Sequence, residues 1–431
     1  MDKLRIKVSD FQAINKADIL LNGITVLTGE NSSGKSTLSK LLYYGLDLNL
    51  RYESIRYGDL NSNRNRLLFR LMNFSDDLKI ETRDYFKDFI TNNDFDNNKN
   101  SIRLFVERLK SQYADVDATL DFRRFVYSVL PPDYTSLNED VIDEGLDCER
   151  AFHLIEKYLN DIETDFIQKR QNRSIADFFD MFRGITHFNV KQSQLSFFEF
   201  ERCILSEDRV NNIFSVDNII YNDSPVSIFF TDVNKWRLVE EETYNQRLRQ
   251  HLIDNQLVML QGESLNLYNV ISNIIGGQVN LETSDIGAKF TYERSSDGLR
   301  INVVDSATGI KQFAILQLLL KRGLLTDRTL LILDEPEAHL HPQWIVEYAR
   351  VIVLLNKILG VNFMLATHSP DFINALRSIA EKEDVLDSVQ MYLSTKVSGT
   401  EQFEFKSLGV DVEPIFESFN IALDRIGLYG I

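Results

Sequence analysis

The stretch Gly29-Glu-Asn-Ser-Ser-Gly-Lys-Ser-Thr37 follows the apolar, β-branched run ITVLTG and opens into LSKLLYYGLDL, where apolar residues recur at helical spacing. It fits the pattern G-x-x-x-x-G-K-[ST] with Gly29, Gly34, Lys35 and Ser36. The glycines let the backbone curl until consecutive N–H groups face an anion, and the helix starting near Lys35 adds its positive dipole end. Lys35 can reach outer phosphates as a point charge, while the Ser36 hydroxyl can ligate magnesium. The context is therefore strand, loop, helix, which is what such a phosphate loop demands.

The rest of the chain is compatible with that demand. Its 431 residues suffice for one large elaborated domain or two domains, and 44% hydrophobic with 26% charged residues is globular composition. No apolar run approaches the roughly 20 residues that span a bilayer, and MDKLRIKVSD lacks the apolar core of a signal peptide. A cytoplasmic protein without membrane contact is therefore expected. Two cysteines, Cys148 and Cys203, fit a reducing compartment and exclude a disulfide framework. A formal charge of −17 argues against wrapping nucleic acid over the whole surface. A local basic groove stays open around Arg51, Arg56, Arg64, Arg66 and Arg70, although a solvated helix face paired with the acidic residues just downstream is the favoured reading.

Periodicity divides the chain. KLRIKVSDF, KADILLNG and ITVLTG read as strands, and Ser36 to Leu46 as a helix. Residues 49–184 carry long charged segments with apolar residues three and four apart, which predicts a helical insertion broken at Pro131-Pro132. Strand character returns in ITHFNVKQSQLSFFEFER and NIIYNDSPVSIFFTD, a helical stretch is expected from about Asp232 to Ile275, and residues 276–305 read as a strand meander. Helices at KQFAILQLLLKRG, PQWIVEYARVIVLLNKIL and SPDFINALRSIAEK then alternate with strands at TLLILD and NFMLAT, and a hairpin and a last helix end the chain. Such alternation implies a mostly parallel sheet. The expected division is a discontinuous head, residues 1–48 and 185–431, and an insertion, 49–184.

Two further stretches belong with the phosphate loop. In TLLILDEPEAHLHPQW, about 300 residues on, Leu330 to Leu333 deliver Asp334 to the carboxyl end of a buried strand. Asp334 could hold magnesium, and Glu335 could polarise an attacking water as a general base. In NFMLATHSPDF another buried strand is expected to end at His368, whose imidazole could donate a hydrogen bond to a terminal phosphate. Glu337, His339 and His341 lie close in sequence and could bind zinc or manganese, but spacing of two along an irregular loop fixes no ligand geometry. Upstream, DSATGIKQF reads as a turn into a helix with Thr308 as its N-cap.

These pieces in this order resemble the ATP-binding-cassette (ABC) ATPase heads of the SMC/RecF class, and most closely the overcoming-lysogenization-defect (OLD) family. The resemblance covers residues 1 to about 48 and 185 to about 420 and leaves the helical segment unmatched. It implies an α/β P-loop head with a mostly parallel sheet, an antiparallel β subdomain and a helical insertion. It also implies that Gly29, Asn31, Ser32, Ser33, Gly34, Lys35, Ser36 and Thr37 cradle ATP, that Ser36 and Asp334 hold Mg2+, that Glu335 is the catalytic glutamate and that His368 is the switch histidine. EAHLHP resembles the loop by which two heads touch. DSATGIKQF stands where such heads carry a signature motif; Thr308 and Gly309 match it, and Ala307 replaces its usual serine. In such heads the signature of one copy closes over the nucleotide of another, which implies a homodimer or higher homo-oligomer through an ATP sandwich. The Toprim nuclease domain of full-length OLD nucleases is not expected here, so a nuclease or toxin effector would be separately encoded. The expected function is a Mg2+-dependent ATPase controlling such an effector, in anti-phage defence. The alternatives are a nucleotide-gated scaffold with slow turnover and a RecF-like repair ATPase that binds DNA directly.

Overall fold

The computed structural model describes residues 4–77, 103, 106–107, 109–111, 121–143, 145–171, 173–223, 243–254, 257–284 and 287–417. They form two compact units, Met1–Leu50 with Ser174–Ile431, and Arg51–Arg173. The boundaries differ from the expected 48/49 and 184/185 because the helix α6 (Ile175–Thr186), with Phe178, Phe179 and Phe182 buried, belongs to the first unit.

The first unit is an α/β body around a ten-stranded sheet in the order β5-β4-β1-β2-β13-β12-β3-β11-β10-β6. Its strands are β1 (Leu4–Phe11), β2 (Ile14–Leu21), β3 (Ile24–Gly29), β4 (Leu195–Glu199), β5 (Arg202–Leu205), β6 (Asn218–Asn222), β10 (Thr329–Asp334), β11 (Asn362–Ala366), β12 (Val389–Lys396) and β13 (Phe403–Gly409). From β12 through β3, β11 and β10 to β6 every pairing is parallel, whereas β5, β4, β1 and β2 pair antiparallel. Burial follows the same division. β3, β10 and β11 are buried at every residue, as strands covered on both faces must be, and β1 alternates. A separate antiparallel sheet holds β7 (Gly277–Ser284), β8 (Gly287–Arg294) and β9 (Arg300–Asn302).

One face of the parallel strands contributes Val26, Leu333, Leu365 and Met391 to the main core. Packed with them are α8 (Gly262–Ile275), α9 (Thr308–Lys321), α10 (Pro342–Leu359) and α11 (Pro370–Lys382). The helical stretch expected from Asp232 is interrupted: α7 is Tyr244–Asp254, α8 starts at Gly262, and residues 224–242 lie outside the described residues. The helix expected to end at Leu46 is α1 (Lys35–Asp77), 43 residues long.

The second unit is helical: α2 (Phe122–Val129), α3 (Pro132–Leu137), α4 (Glu139–Asp143) and α5 (Cys148–Gln171). α2 is capped by Asp121, whose carboxylate accepts from the N–H groups of Arg123 and Arg124. Phe125, Val129, Phe152 and Ile155 join Leu67 and Leu71 of α1 in a core of its own. Arg64 does not sit on a solvated face or groove. It is 5% exposed and donates to Glu163 at 2.7 Å, with Arg103 on the other carboxylate oxygen at 3.1 Å. No helix among the described residues is long and apolar enough to cross a membrane.

Candidate nucleotide-binding site

Strand register explains how distant segments meet. Asp334 pairs with Ala366 and Ala366 with Leu27, so β10, β11 and β3 end together at one edge of the sheet. The loops that continue them carry Glu335, His368 and the glycine-rich stretch. Backbone bonds extend the junction: Glu335 N–H donates to Ala366 C=O at 2.7 Å, and Thr367 N–H to Leu27 C=O at 2.9 Å. The histidine expected at the strand end sits two residues beyond it, since β11 stops at Ala366.

The loop curls as its glycines require. Gly29 has φ +135°, and a Cβ there would lie 1.9 Å from Ser394 Oγ of the neighbouring strand, so no other residue fits. Ser32 adopts φ +64°; it and Asn31 are exposed, whereas Ser33 is fully buried with an unpartnered hydroxyl. Thr37 donates to Gln12 Oε1 at 3.4 Å. Lys35, 7% exposed, folds back over the loop and donates from Nζ to the carbonyls of Gly29 at 3.0 Å and Glu30 at 2.7 Å. Burial lowers its pKa, and the charges of Asp334, Glu335, Glu337 and Glu30 oppose that shift. The ammonium is thus within electrostatic reach of the carboxylates at residues 334–337.

Asp334 is 7% exposed, and its Oδ2 accepts from the Tyr221 hydroxyl at 3.0 Å. Its Oδ1 is buried without a hydrogen-bond partner. Desolvation raises its pKa, while the nearby hydroxyls of Ser36 and Tyr221 pull it down. A buried carboxylate oxygen left unpaired costs about 1–3 kcal/mol, a cost relieved by a cation. The orphaned Oδ1 and the adjacent Ser36 hydroxyl fit a magnesium ion, and the loop whose glycines adopt positive φ at Gly29 and Gly34 fits a polyphosphate. Glu335 has φ +50° and a side chain 47% exposed; its Oε1 lies 3.4 Å from His368 Nδ1, whose side chain is 46% exposed.

Thr308 and Gly309 stand apart. Ala307, not Thr308, occupies the N-cap of α9, with no side-chain cap, so Thr308 is the first helical residue. The expectation failed because a capping residue must keep extended backbone, and that conformation falls one residue earlier. Gly309 packs on the aromatic ring of Trp344, where a Cβ would come within 2.4 Å, and beside Leu340. Among the described residues no hydrogen bond or ion pair joins Thr308 or Gly309 to Lys35 or Asp334. Their connection is indirect: Asn222, next to Tyr221, donates to Gln312 of α9 at 3.4 Å.

The Glu337, His339 and His341 triplet does not converge on a metal. Glu337 is buried, His339 is exposed at φ +63°, and His341 Nδ1 caps α10 by accepting from Gln343 N–H. Among the described residues no group of three metal-ligating side chains occurs.

Three contributors escaped the motif reading. Tyr221 lies on β6, and the hint was a tyrosine at the end of an apolar strand with a polar continuation. Tyr43 and Tyr244 surround it, with ring centroids 5.6 and 4.7 Å from its own. Lys40, one turn into α1, approaches Asp223 at 4.0 Å, and Tyr244 donates to the same carboxylate. Thr367 joins Glu337, and nothing in the sequence pairs them.

The model of the family described as "AAA domain, putative AbiEii toxin, Type IV TA system" matches residues 24–374. Similar solved structures include the Smc head domain with an extended coiled coil bound to the C-terminal domain of ScpA from Pyrococcus furiosus, at 10% identity, with 99% of this chain and 100% of that chain covered and a TM-score of 0.36. The SMC head domain from Thermotoga maritima is similar at 10% identity, 95% and 99% coverage and a TM-score of 0.34. The ADP conformation of MJ1267, an ATP-binding cassette of an ABC transporter, gives 9% identity, 97% and 99% coverage and a TM-score of 0.35.

Proposed function

The chain belongs to the AAA-domain family whose description names the AbiEii toxin and Type IV TA systems, and from that premise we propose a Mg2+-dependent, OLD-like ABC-type ATPase head that dimerises around ATP. The observation that carries the reading is the strand register that ends β3, β11 and β10 together, with Lys35 and Asp334 buried and electrostatically coupled and the exposed Ser36 hydroxyl beside Asp334. Gly29 to Thr37 bind the phosphates, with Lys35 neutralising the outer ones. Ser36 and Asp334 hold the metal, which supplies charge neutralisation of the polyphosphate when bound. Glu335 would orient and deprotonate the attacking water, and His368, whose Nδ1 lies 3.4 Å from Glu335 Oε1, would donate a hydrogen bond to the terminal phosphate.

Thr308 and Gly309 complete the pocket of a second copy rather than their own. The lack of any direct bond to Lys35 or Asp334 and the packing of Gly309 beside Leu340 support this, because Leu340 belongs to EAHLHP, residues 337–342, which resembles the contact loop between heads. The toxin and TA vocabulary of the family supports a role in defence. The output is control of a separately encoded effector, a nuclease or toxin, with residues 51–173 as the arm that senses or docks. The uncapped start of α9 favours a variant of this reading in which turnover is slow and nucleotide mainly sets an assembly state.

Steady-state hydrolysis with Mg2+ and ATP tests the enzyme. Glu335→Gln lowers kcat by about 100-fold or more while ATP still binds, as loss of a general base does. Lys35→Ala abolishes binding in calorimetry. Native mass measured on Glu335→Gln with ATP shows a dimer, and its co-purifying protein identifies the effector. A wild-type protein that takes up no ATP, or one whose turnover survives Glu335→Gln, defeats the ATPase reading. Partner binding lost in Lys35→Ala but intact and turnover-independent in Glu335→Gln selects the scaffold variant.

A further inference from the structure

Glu337 is as buried as Asp334, each 7% exposed, yet the chemistry just described gives it no task. Its Oε1 accepts from the Thr367 hydroxyl at 2.5 Å and faces the His368 N–H at 3.4 Å. Its Oε2 is buried without a hydrogen-bond partner. A carboxylate held this way is costly to the fold, since an unpaired buried oxygen and a desolvated charge both oppose stability. An apolar residue would fill the space at lower cost. What the carboxylate adds is a cross-link between two loops, the one after β10 and the one after β11.

That cross-link sits behind the catalytic pair. Glu335 and His368 have side chains about half exposed, at 47% and 46%, so packing alone does not hold them. Their mutual position, with Nδ1 3.4 Å from Oε1, follows from the two backbones that carry them. Those backbones are joined by the Glu335 N–H to Ala366 C=O bond and, one layer deeper, by the Glu337 side chain. The Thr367 hydroxyl also accepts from Ser369 N–H at 3.0 Å, which ties the start of α11 to the same point. On its other side Glu337 leads, through the Leu340 N–H to Glu337 C=O turn, to the Leu340 side chain beside Gly309.

We propose that Glu337 is a positioning residue that fixes the His368 loop against Glu335, and that through the Glu337–Leu340 turn it ties that pair to the segment packed on Gly309. The inference rests on the ATPase reading for its kinetic consequence, but the geometry it asserts exists without nucleotide.

Two kinds of measurement test it. In ATP turnover, Glu337→Ala and Thr367→Val each lower kcat at least about tenfold with KM for ATP changed less than about threefold, because a small misplacement of the reacting groups affects the transition state most. Thr367→Ser, which keeps the hydroxyl, retains most of the activity. The losses in the Glu337→Ala/Thr367→Val double variant are smaller than the product of the single losses, since both variants remove the shared Glu337–Thr367 bond, although Glu337→Ala also frees the His368 N–H and Thr367→Val the Ser369 N–H. In nucleotide-free protein labelled with 13C-histidine, the His368 imidazole resonance, assigned by its loss in His368→Gln, shifts in Thr367→Val and stays in place in Thr367→Ser. Wild-type kcat in Thr367→Val, an effect confined to KM, multiplying losses in the double variant or an unmoved His368 resonance would overturn the proposal. Should Glu337→Ala not fold, the near-isosteric Thr367 pair decides alone. If wild-type protein hydrolyses no ATP, the ATPase reading falls, while the histidine resonance still decides the positioning role.

Discussion

Single side chains around the phosphate loop are held by steric exclusion as much as by attraction. Gly29 pairs with Ser394 across the β3–β12 ladder, and at its φ of +135° the space a Cβ would take is filled by Ser394 Oγ and, at 3.0 Å, by the Ser394 carbonyl. Gly29→Ala must therefore pry two central strands apart, at a cost of about 2–4 kcal/mol from overpacking and unfavourable φ together. Urea unfolding should show the midpoint shift, and ATP affinity should fall with it. Tyr221→Phe is the converse case, in which volume is kept and one hydroxyl is lost. Asp334 Oδ2 then joins Oδ1 as an unpaired buried oxygen, which destabilises the protein by about 1–3 kcal/mol in the same assay. Losing that hydrogen bond also removes one of the two hydroxyl contacts that pull the Asp334 pKa down, so it rises further. These two residues show why only part of the site can be read in advance. Gly29, Lys35, Ser36, Asp334 and Glu335 lie in contiguous patterns whose chemistry is local. Tyr221, Glu337 and Thr367 act through partners 113 and 30 residues away, and no local pattern encodes such a pair.

At the scale of elements, α9 shows how an interior helix is tied down at its far end. It is buried from Lys311 to Leu320, and its last residue, Lys321, reaches into the small sheet, where Nζ donates to Val279 C=O at 2.9 Å and Asn280 Oδ1 at 2.8 Å above the Tyr268 ring. Desolvation first, and then the neighbouring Arg322 charge, lower its pKa from 10.5 to about 8. Between those values the unfolded chain binds a proton that the folded protein has released. Stability therefore rises with pH across that window, by the linkage relation. Denaturant titrations from about pH 7.5 to about pH 10 should show a gain in wild-type stability that is smaller in Lys321→Met. An equal slope in both would mean that Lys321 remains charged. Helices such as α9 and α10 were legible because long apolar periodicity survives any context. The length of α1 was not, since beyond Leu46 the run NSNRN carries no apolar stripe and its helicity depends on packing with α5 around Leu67 and Leu71.

The whole molecule consists of two bodies with separate cores, and their stabilities are addressable separately. In residues 51–173 Arg64 and Glu163 are buried, 5% and 8% exposed, and both oxygens of Glu163 are engaged by guanidinium groups, that of Arg64 at 2.7 Å and that of the partly exposed Arg103 at 3.1 Å. The entry and exit of this body are fastened together, because Arg173 stacks on Tyr52 at 4.9 Å and faces Glu53 at 3.8 Å. Glu163→Ala leaves the Arg64 cation buried and unpaired, an arrangement that costs about 3–5 kcal/mol. The phosphate loop, Asp334, Glu335 and His368 all belong to the other body, whose main core contains no residue of 51–173. Calorimetry of Glu163→Ala should therefore show one unfolding transition moved down by several degrees. ATP affinity should stay within about threefold of wild type, a difference under about 0.7 kcal/mol. If ATP binding fell in proportion to the lost stability, the two bodies would be one cooperative unit, and residues 51–173 would be part of the nucleotide site's framework rather than an arm attached to it.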